Sequence, residues 1–210
     1  MYLKKLNIRN FRCFANYEIE FAPRVTVLFG KNGSGKSTLI HALHKALSFM
    51  MHSEKIKEKT KLTDVLVLEE IDSTNTFLKN QAFNKGHGAL VIAKSQTNGR
   101  GRLNRTFFSK KNGLYMSFLL KPQNQDISKV TPIAAVAVYR AIKKYTEFSP
   151  KIKWVNDIYI ENKKVCGILC EAVTNPDTMK IEYIIIGVGV NIAVKSFPSE
   201  IKDIATSLPV

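Results

Sequence analysis

Two stretches of this 210-residue sequence carry residue types and spacings suited to handling phosphates and carboxylates. The first is GKNGSGKS at 30–37, set between the apolar run VTVLF and the helical pattern STLIHALHKALSFMM. Gly30, Gly33 and Gly35 would let backbone N–H groups wrap a phosphate, with Lys36 reaching terminal phosphates and Ser37 holding Mg²⁺. The second is SQTNGRGRLNR at 95–105, where Gly99 and Gly101 punctuate Arg100, Arg102 and Arg105. Cations in such a loop can neutralise a carboxylate and an α-phosphate as they approach, and then the charge on a departing pyrophosphate. The glycines allow the loop to fold over a ligand and exclude water from a hydrolysable intermediate. Lys153, ahead of Trp154 at a strand end, adds a fixed cation, and Ser73, Thr74, Asn75 and Gln96 supply neutral donors and acceptors. Taken singly, each has a plainer reading: GRGR as a solvated or nucleic-acid-binding loop, and STN as a helix cap.

The elements that must position these residues show in the hydrophobic periodicity. LKKLNI and YEIEF alternate with a period of two, and VTVLF (25–29) reads as a strand leading into the glycine-rich turn. HSEKIKEKTK (52–61) is almost wholly polar and reads as a helix end or linker, which sets a boundary between a segment 1–60 and a segment 61–210. The second segment opens with a strand at DVLVLEE (64–70) and a helix at STNTFLKNQAFNK capped by Ser73 or Thr74. Strands follow at ALVIAK (89–94) and GLYMSFLLK, then a long amphipathic helix at ISKVTPIAAVAVYRAIKKY with Pro132 tolerable only near its first turn. IKWVNDIYIENKKVCGILCEA reads as a hairpin turning at Glu161-Asn162-Lys163, and IEYIIIGVGVNI as a further strand. The expected class is α+β, with a mixed, largely antiparallel sheet flanked by helices.

Composition narrows the setting. A 45% hydrophobic content supports a sizeable core and excludes a wholly disordered chain. No apolar run is long enough to cross a bilayer, and the charged N-terminus lacks the apolar segment of a secretory signal. Cys13, Cys166 and Cys170 do not form a disulfide framework, and the four histidines have no metal-ligand spacing. A reducing, cytoplasmic setting and no protein cage for a metal are therefore expected. The formal net charge of +15 divides into +7 over residues 1–60 and +8 over 61–210, which suits nucleotide phosphates, nucleic acid or an acidic protein.

Read in order, EEIDSTNTFLK, SQTNGRGRLNR, KIKWVNDIYIENKKVCGIL and GVGVN resemble the catalytic domain of biotin protein ligases. The resemblance runs from residue 64 to the end. It implies formation of biotinyl-5′-adenylate from biotin and ATP with Mg²⁺, then transfer of biotin to a lysine of a carboxylase carrier domain. It further implies that Ser73, Thr74, Asn75 and Gln96 contact the biotin head group, together with the loop Gly99-Arg100-Gly101-Arg102. Arg102 and Lys153 would be the central charges on the adenylate, Arg105, Asn156 and Asn191 would serve ATP, and Gly187, Gly189 and Asn191 would border the pocket. Val155 stands where the family usually has proline, and Leu103 and Asn104 stand where many members have basic or glycine residues. The chain stops at ATSLPV, so the C-terminal small β-barrel of the family is not expected. The family often forms homodimers through a sheet edge. No helix-turn-helix pattern precedes residue 60, so nucleic acid is not an expected partner.

LKKLNIRNFRCF…VTVLFGKNGSGKSTLIHAL resembles the opening of DNA-repair and chromosome-maintenance ATPases related to ABC transporters. The strand ending in Asp-Glu that such an ATPase needs does not follow at the right spacing; Glu69-Glu70 comes too soon and lacks the Asp. Hydrolysis is not expected from this segment. Nucleotide binding by it, and a DNA-associated role, stay open as the alternative, as does a biotin-binding remnant without transfer.

Overall fold

The computed structural model describes residues 5–11, 14–20, 53–58, 60, 62, 64–123 and 125–209. The glycine-rich turn at 30–37, the strand at 25–29 and the helix expected after it lie outside the described residues. The chain divides into two compact units, Met1–His52 and Ser53–Val210. In the first, β1 (Lys5–Phe11) pairs antiparallel with β2 (Phe14–Glu20), in a register that sets Ile8 opposite Tyr17. Both strands follow the two-residue alternation of the sequence.

The second unit begins with helical backbone at 53–58 and is built on one seven-stranded sheet. Its strands are β3 (Asp64–Ile71), β4 (Ala89–Gln96), β5 (Gly113–Leu120), β6 (Lys151–Lys153), β7 (Asp157–Ile160), β8 (Lys163–Thr174) and β9 (Ile181–Asn191). They lie in the order β3-β4-β5-β9-β8-β7-β6. Among these strands β3 and β4 run parallel, joined by the helix α1 (Thr74–Lys85), and the other strand pairs are antiparallel. The sheet is therefore mixed and largely antiparallel. The expected hairpin turns at Glu161 and Asn162, whose φ values of 49° and 65° fit a two-residue turn of mirror type. A second hairpin, β6–β7, turns through Trp154–Asn156 and was not foreseen; its Trp154–Val155 peptide is cis.

Each helix covers one face of the sheet. Along β9 successive side chains point to opposite faces. Ile185 packs with Leu78 and Ala82 of α1, and with Val91, Leu119 and Val173. Val188 and Val190 point the other way, toward Ala135 and Ile142 of the second helix, α2 (Val130–Tyr145). Pro132 falls in the first turn of α2, where no intrahelical donor is lost. On the α1 face the residues after Ile185 are Gly187 and Gly189, so the helix-covered core gives way to an open floor. That floor positions the site. Among the described residues no helix is long and apolar enough to cross a membrane.

Leu78 is fully buried at the centre of the α1 core. Leu78→Ala removes its contacts without removing a polar group, and is expected to cost about 2–5 kcal/mol of unfolding free energy. Urea denaturation followed by circular dichroism reads this directly. A loss under about 1 kcal/mol would mean that α1 does not share the sheet's cooperative core.

Candidate active site

The α1 helix begins where the polar end of the site begins. Ser73 caps it by accepting the Thr76 N–H at 3.3 Å, and its own N–H donates to Asp72 Oδ1 at 2.6 Å. This cap points Thr74 and Asn75 at the sheet, where both are buried. Thr74 N–H donates to Gln96 Oε1 at 2.8 Å, and Gln96 Nε2 donates to Ser109 Oγ at 2.9 Å. Asn75 sits over Gly187, where a Cβ would come closer than 3.0 Å to Asn75 Oδ1. Ser117, opposite Gly187 on β5, lies 2.6 Å from Asn75 Oδ1 and 2.7 Å from Thr74 Oγ1.

The next row across the sheet is Tyr115–Gly189–Gly167. Two glycines side by side leave a trough, and the Phe107 ring lies in it; a Cβ at either glycine would meet that ring. Phe107 also meets Tyr115 edge to face, at 6.4 Å between centroids. Burial pushes the Tyr115 phenol up to about 12, so it stays a neutral donor, bonded to the Lys110 carbonyl at 2.8 Å. Burial likewise raises the Cys166 thiol far above its ordinary value, which leaves it inert beneath the site.

The basic loop closes one wall. Gly101 N–H donates to the Arg105 carbonyl at 2.7 Å and Phe107 N–H to the Gly99 carbonyl at 2.9 Å, so the loop is a compact turn over the sheet. Arg100 makes two contacts with Glu171 of β8, at 3.1 and 3.2 Å. Arg102 donates to Asn156 Oδ1 at 3.0 Å, and Asn156 Nδ2 donates to Asp157 Oδ1 at 3.0 Å. Asp157 also pairs with Lys164 Nζ at 2.7 Å.

A cleft open to solvent has Ser73, Thr74, Asn75 and Gln96 at one end and Arg102, Asn156 and Lys164 at the other. A larger cleft adjoins it and shares Gly101, Arg102, Phe107, Asn156 and Lys164. Arg105, Tyr159 and Asn191 line the second cleft, with Phe197, Ile201 and Ile204 of the C-terminal segment. Asn191 Nδ2 donates to the Thr206 carbonyl at 3.0 Å, while its buried Oδ1 has no partner among the described residues. An acceptor left unsatisfied costs free energy unless a ligand donor meets it.

The structure thus brings together Ser73, Thr74, Asn75, Gln96, Arg100, Gly101, Arg102, Asn156, Gly187 and Gly189 around the first cleft. It does not bring Lys153 there. Lys153 ends the edge strand β6, and its Nζ lies 5.0 Å above the Tyr159 ring, outside both clefts. The lysine that lines both, beside Arg102, is Lys164, which the sequence reading passed over. The reason is a β-bulge. Pairing between β7 and β8 runs Ile158 to Cys166 and then Tyr159 to Lys164, skipping Val165. Val165 and Cys166 both enter the α2-side core, and the extra residue turns Lys164 onto the cleft face. Glu171, Phe107, Tyr115 and Ser117 were also missed.

Comparison with known proteins bears on the family and the fold. Residues 67–191, more than half of the chain, match the model of the biotin/lipoate A/B protein ligase family. Residues 2–116 match the RecF/RecN/SMC N terminal domain. The overlap of the two matches, 67–116, falls within the seven-stranded unit. The bifunctional ligase/repressor BirA of Bacillus spizizenii is 44% identical over 130 residues, covering 60% of this chain and 39% of that protein. BirA of Bacillus subtilis is 42% identical over 145 residues, covering 68% and 44%. The chain therefore spans about two fifths of the length of these relatives. Among solved structures, biotin protein ligase from Aquifex aeolicus in complex with biotin and ATP superposes with a TM-score of 0.61 at 36% identity, covering 70% of this chain and 60% of that one. The Leishmania major enzyme in complex with biotinyl-5-AMP gives 0.58 at 28% identity, covering 69% and 62%. Through residues 67–191 the chain belongs to the biotin/lipoate A/B protein ligase family.

Proposed function

We propose that this chain is an ATP-dependent biotin protein ligase that forms biotinyl-5′-adenylate and passes biotin to a lysine of a carboxylase carrier domain. One observation carries the reading: two clefts of different chemistry meet at Arg102, Asn156 and Lys164. The first offers hydroxyls and amides at one end and an aromatic-floored trough beside it, which suits a ureido head group and an apolar acyl tail. The second offers Arg105, aromatic and aliphatic walls and an Asn191 oxygen that has no partner among the described residues, which suits a nucleotide. At their junction the biotin carboxylate would attack the α-phosphorus, forming the acyl–phosphate bond as the bond to pyrophosphate breaks. Arg102 and Lys164 would bear the charge that develops there. The acceptor amine would then attack the acyl carbon, releasing AMP. Mg²⁺ would arrive with ATP.

The division into a segment 1–60 and a ligase-like segment 61–210, a reducing cytoplasmic setting and a homodimer belong to the same proposal. The free thiols Cys166 and Cys170 support the reducing setting. A second reading, nucleotide binding by Gly30–Ser37, is favoured by the match of residues 2–116 to the RecF/RecN/SMC N terminal domain. Biotin-dependent exchange of labelled pyrophosphate into ATP, followed by transfer to a biotin carboxyl carrier domain, tests both. Exchange that needs biotin and survives Lys36→Ala is the expected result. Exchange without biotin dependence, or lost in Lys36→Ala, would overturn the ligase assignment.

A further inference from the structure

Glu171 stands on the cleft face of β8, opposite Ile185 and behind the lining of the first cleft. Its side chain is 15% exposed. Both oxygens are used. They take the two Arg100 contacts at 3.1 and 3.2 Å, and Oε2 also accepts from Asn75 Nδ2 at 2.9 Å. An ionised carboxylate only accepts. The Asn75 amide must therefore turn its NH₂ toward Glu171 and its Oδ1 toward Ser117 Oγ, 2.6 Å away. Ser117 has one proton and two oxygen neighbours. Asn75 Oδ1 has no proton to share, so the Ser117 proton serves it; the Thr74 hydroxyl, 2.7 Å from Ser117 Oγ, has an acceptor of its own in Gln96 Oε1 at 3.1 Å. The Thr74 N–H holds Gln96 Oε1, which turns Gln96 Nε2 to Ser109. The orientation of the Asn75 amide, and with it the bond between Asn75 and Ser117, thus traces back to one carboxylate.

We propose that Glu171 is a positioning residue for the ligase reaction. Through Arg100 it pins the basic loop. Through Asn75 it fixes which side of the amide accepts, leaving a lone pair on Asn75 Oδ1 for a head group that carries N–H donors. This rests on the reading that the cleft holds biotin. The whole-chain protein is assayed by biotin-dependent pyrophosphate exchange in four forms: wild type, Glu171→Gln, Asn75→Asp and the pair. Glu171→Gln offers Asn75 a donor as well as an acceptor and is expected to raise the KM for biotin about tenfold or more. kcat is expected to fall as well, since Arg102 belongs to the loop that Arg100 anchors, and the rescue by the pair is read on the KM for biotin. The pair restores an acceptor-only group facing a donor, with the polarity of Ser117 and Thr74 unchanged, and should return the biotin KM to within about threefold of wild type. A merely structural role for Glu171 would not be rescued this way. Trypsin cleavage after Arg100 and Arg102 in the ligand-free protein should also quicken in Glu171→Gln as the loop is released. A wild-type biotin KM in Glu171→Gln, a pair no better than the singles, or unchanged cleavage would overturn the proposal. A wild type with no biotin-dependent exchange would instead overturn the ligase reading beneath it.

Discussion

Lys164→Ala is expected to lower biotin-dependent adenylate formation by about a hundred- to a thousandfold, the effect of removing one preorganised charge contact worth about 2.7–4 kcal/mol at the transition state. Lys153→Ala is expected to leave the rate within about threefold of wild type. The two lysines differ in placement and not in type. Lys164 lines both clefts at their junction, is held by Asp157 at 2.7 Å, and sits 5.6 Å from the Phe107 ring centroid. Its ammonium is thus already oriented, with Asp157 in turn held by Asn156 Nδ2. Lys153 lies two strands further out, exposed, and touches Tyr159. Charge at an exposed edge is screened by water, whereas charge in a closing cleft is not. Lys164→Ala leaves Asp157 without its cation, so the melting temperature must be read beside the rate. A rate loss with an unchanged melting temperature assigns the effect to chemistry. Equal rates in the two mutants, or a larger loss in Lys153→Ala, would return the central charge to β6.

The contrast between these lysines also marks where the sequence stops being legible. Period-two runs located the strands, and the Ser73 cap located α1, because both signals are local. The order of the polar motifs anticipated the residues that gather at the first cleft, since a strand end, a helix start and a glycine-bearing loop have few ways to meet. Lys164 was hidden because alternation places it on the α2 face, and only the bulge at Val165 reverses that. Lys153 looked stronger because it precedes an aromatic residue at a strand end, yet nothing local says that β6 is the sheet's edge. Glu171 drew no reading of its own, at the end of the apolar run VCGILCEA. Its partners, Arg100 and Asn75, are 71 and 96 residues away. The floor is similar. Gly167, Gly187 and Gly189 are unremarkable one at a time and become a trough only when register sets Gly167 beside Gly189.

That floor yields the other large effect. A Cβ at Gly187 would stand closer than 3.0 Å to Asn75 Oδ1, an approach that real side chains do not make. Relief must come from one side. β9 cannot recede, because Gly187 is paired on both sides, with Ser117 and with Leu169, and Val188 next to it is buried against the α2 core. Asn75 must move instead, away from Ser117 and Glu171. Gly187→Ala therefore spoils two polar groups of the head-group pocket in a folded protein, each worth about 1–3 kcal/mol, and biotin affinity should fall about a hundredfold. Isothermal titration with biotin measures it. Gly189→Ala is a milder neighbour, because the group it meets is the Phe107 ring, which can turn. The decisive comparison uses Asn75→Ala as the background. With the amide already gone there is nothing left to strike, so adding Gly187→Ala should cost no further affinity, whereas independent effects would add. Full additivity in that double mutant would mean that Gly187 acts on the ligand itself, with the acyl chain and not Asn75 filling the space above it.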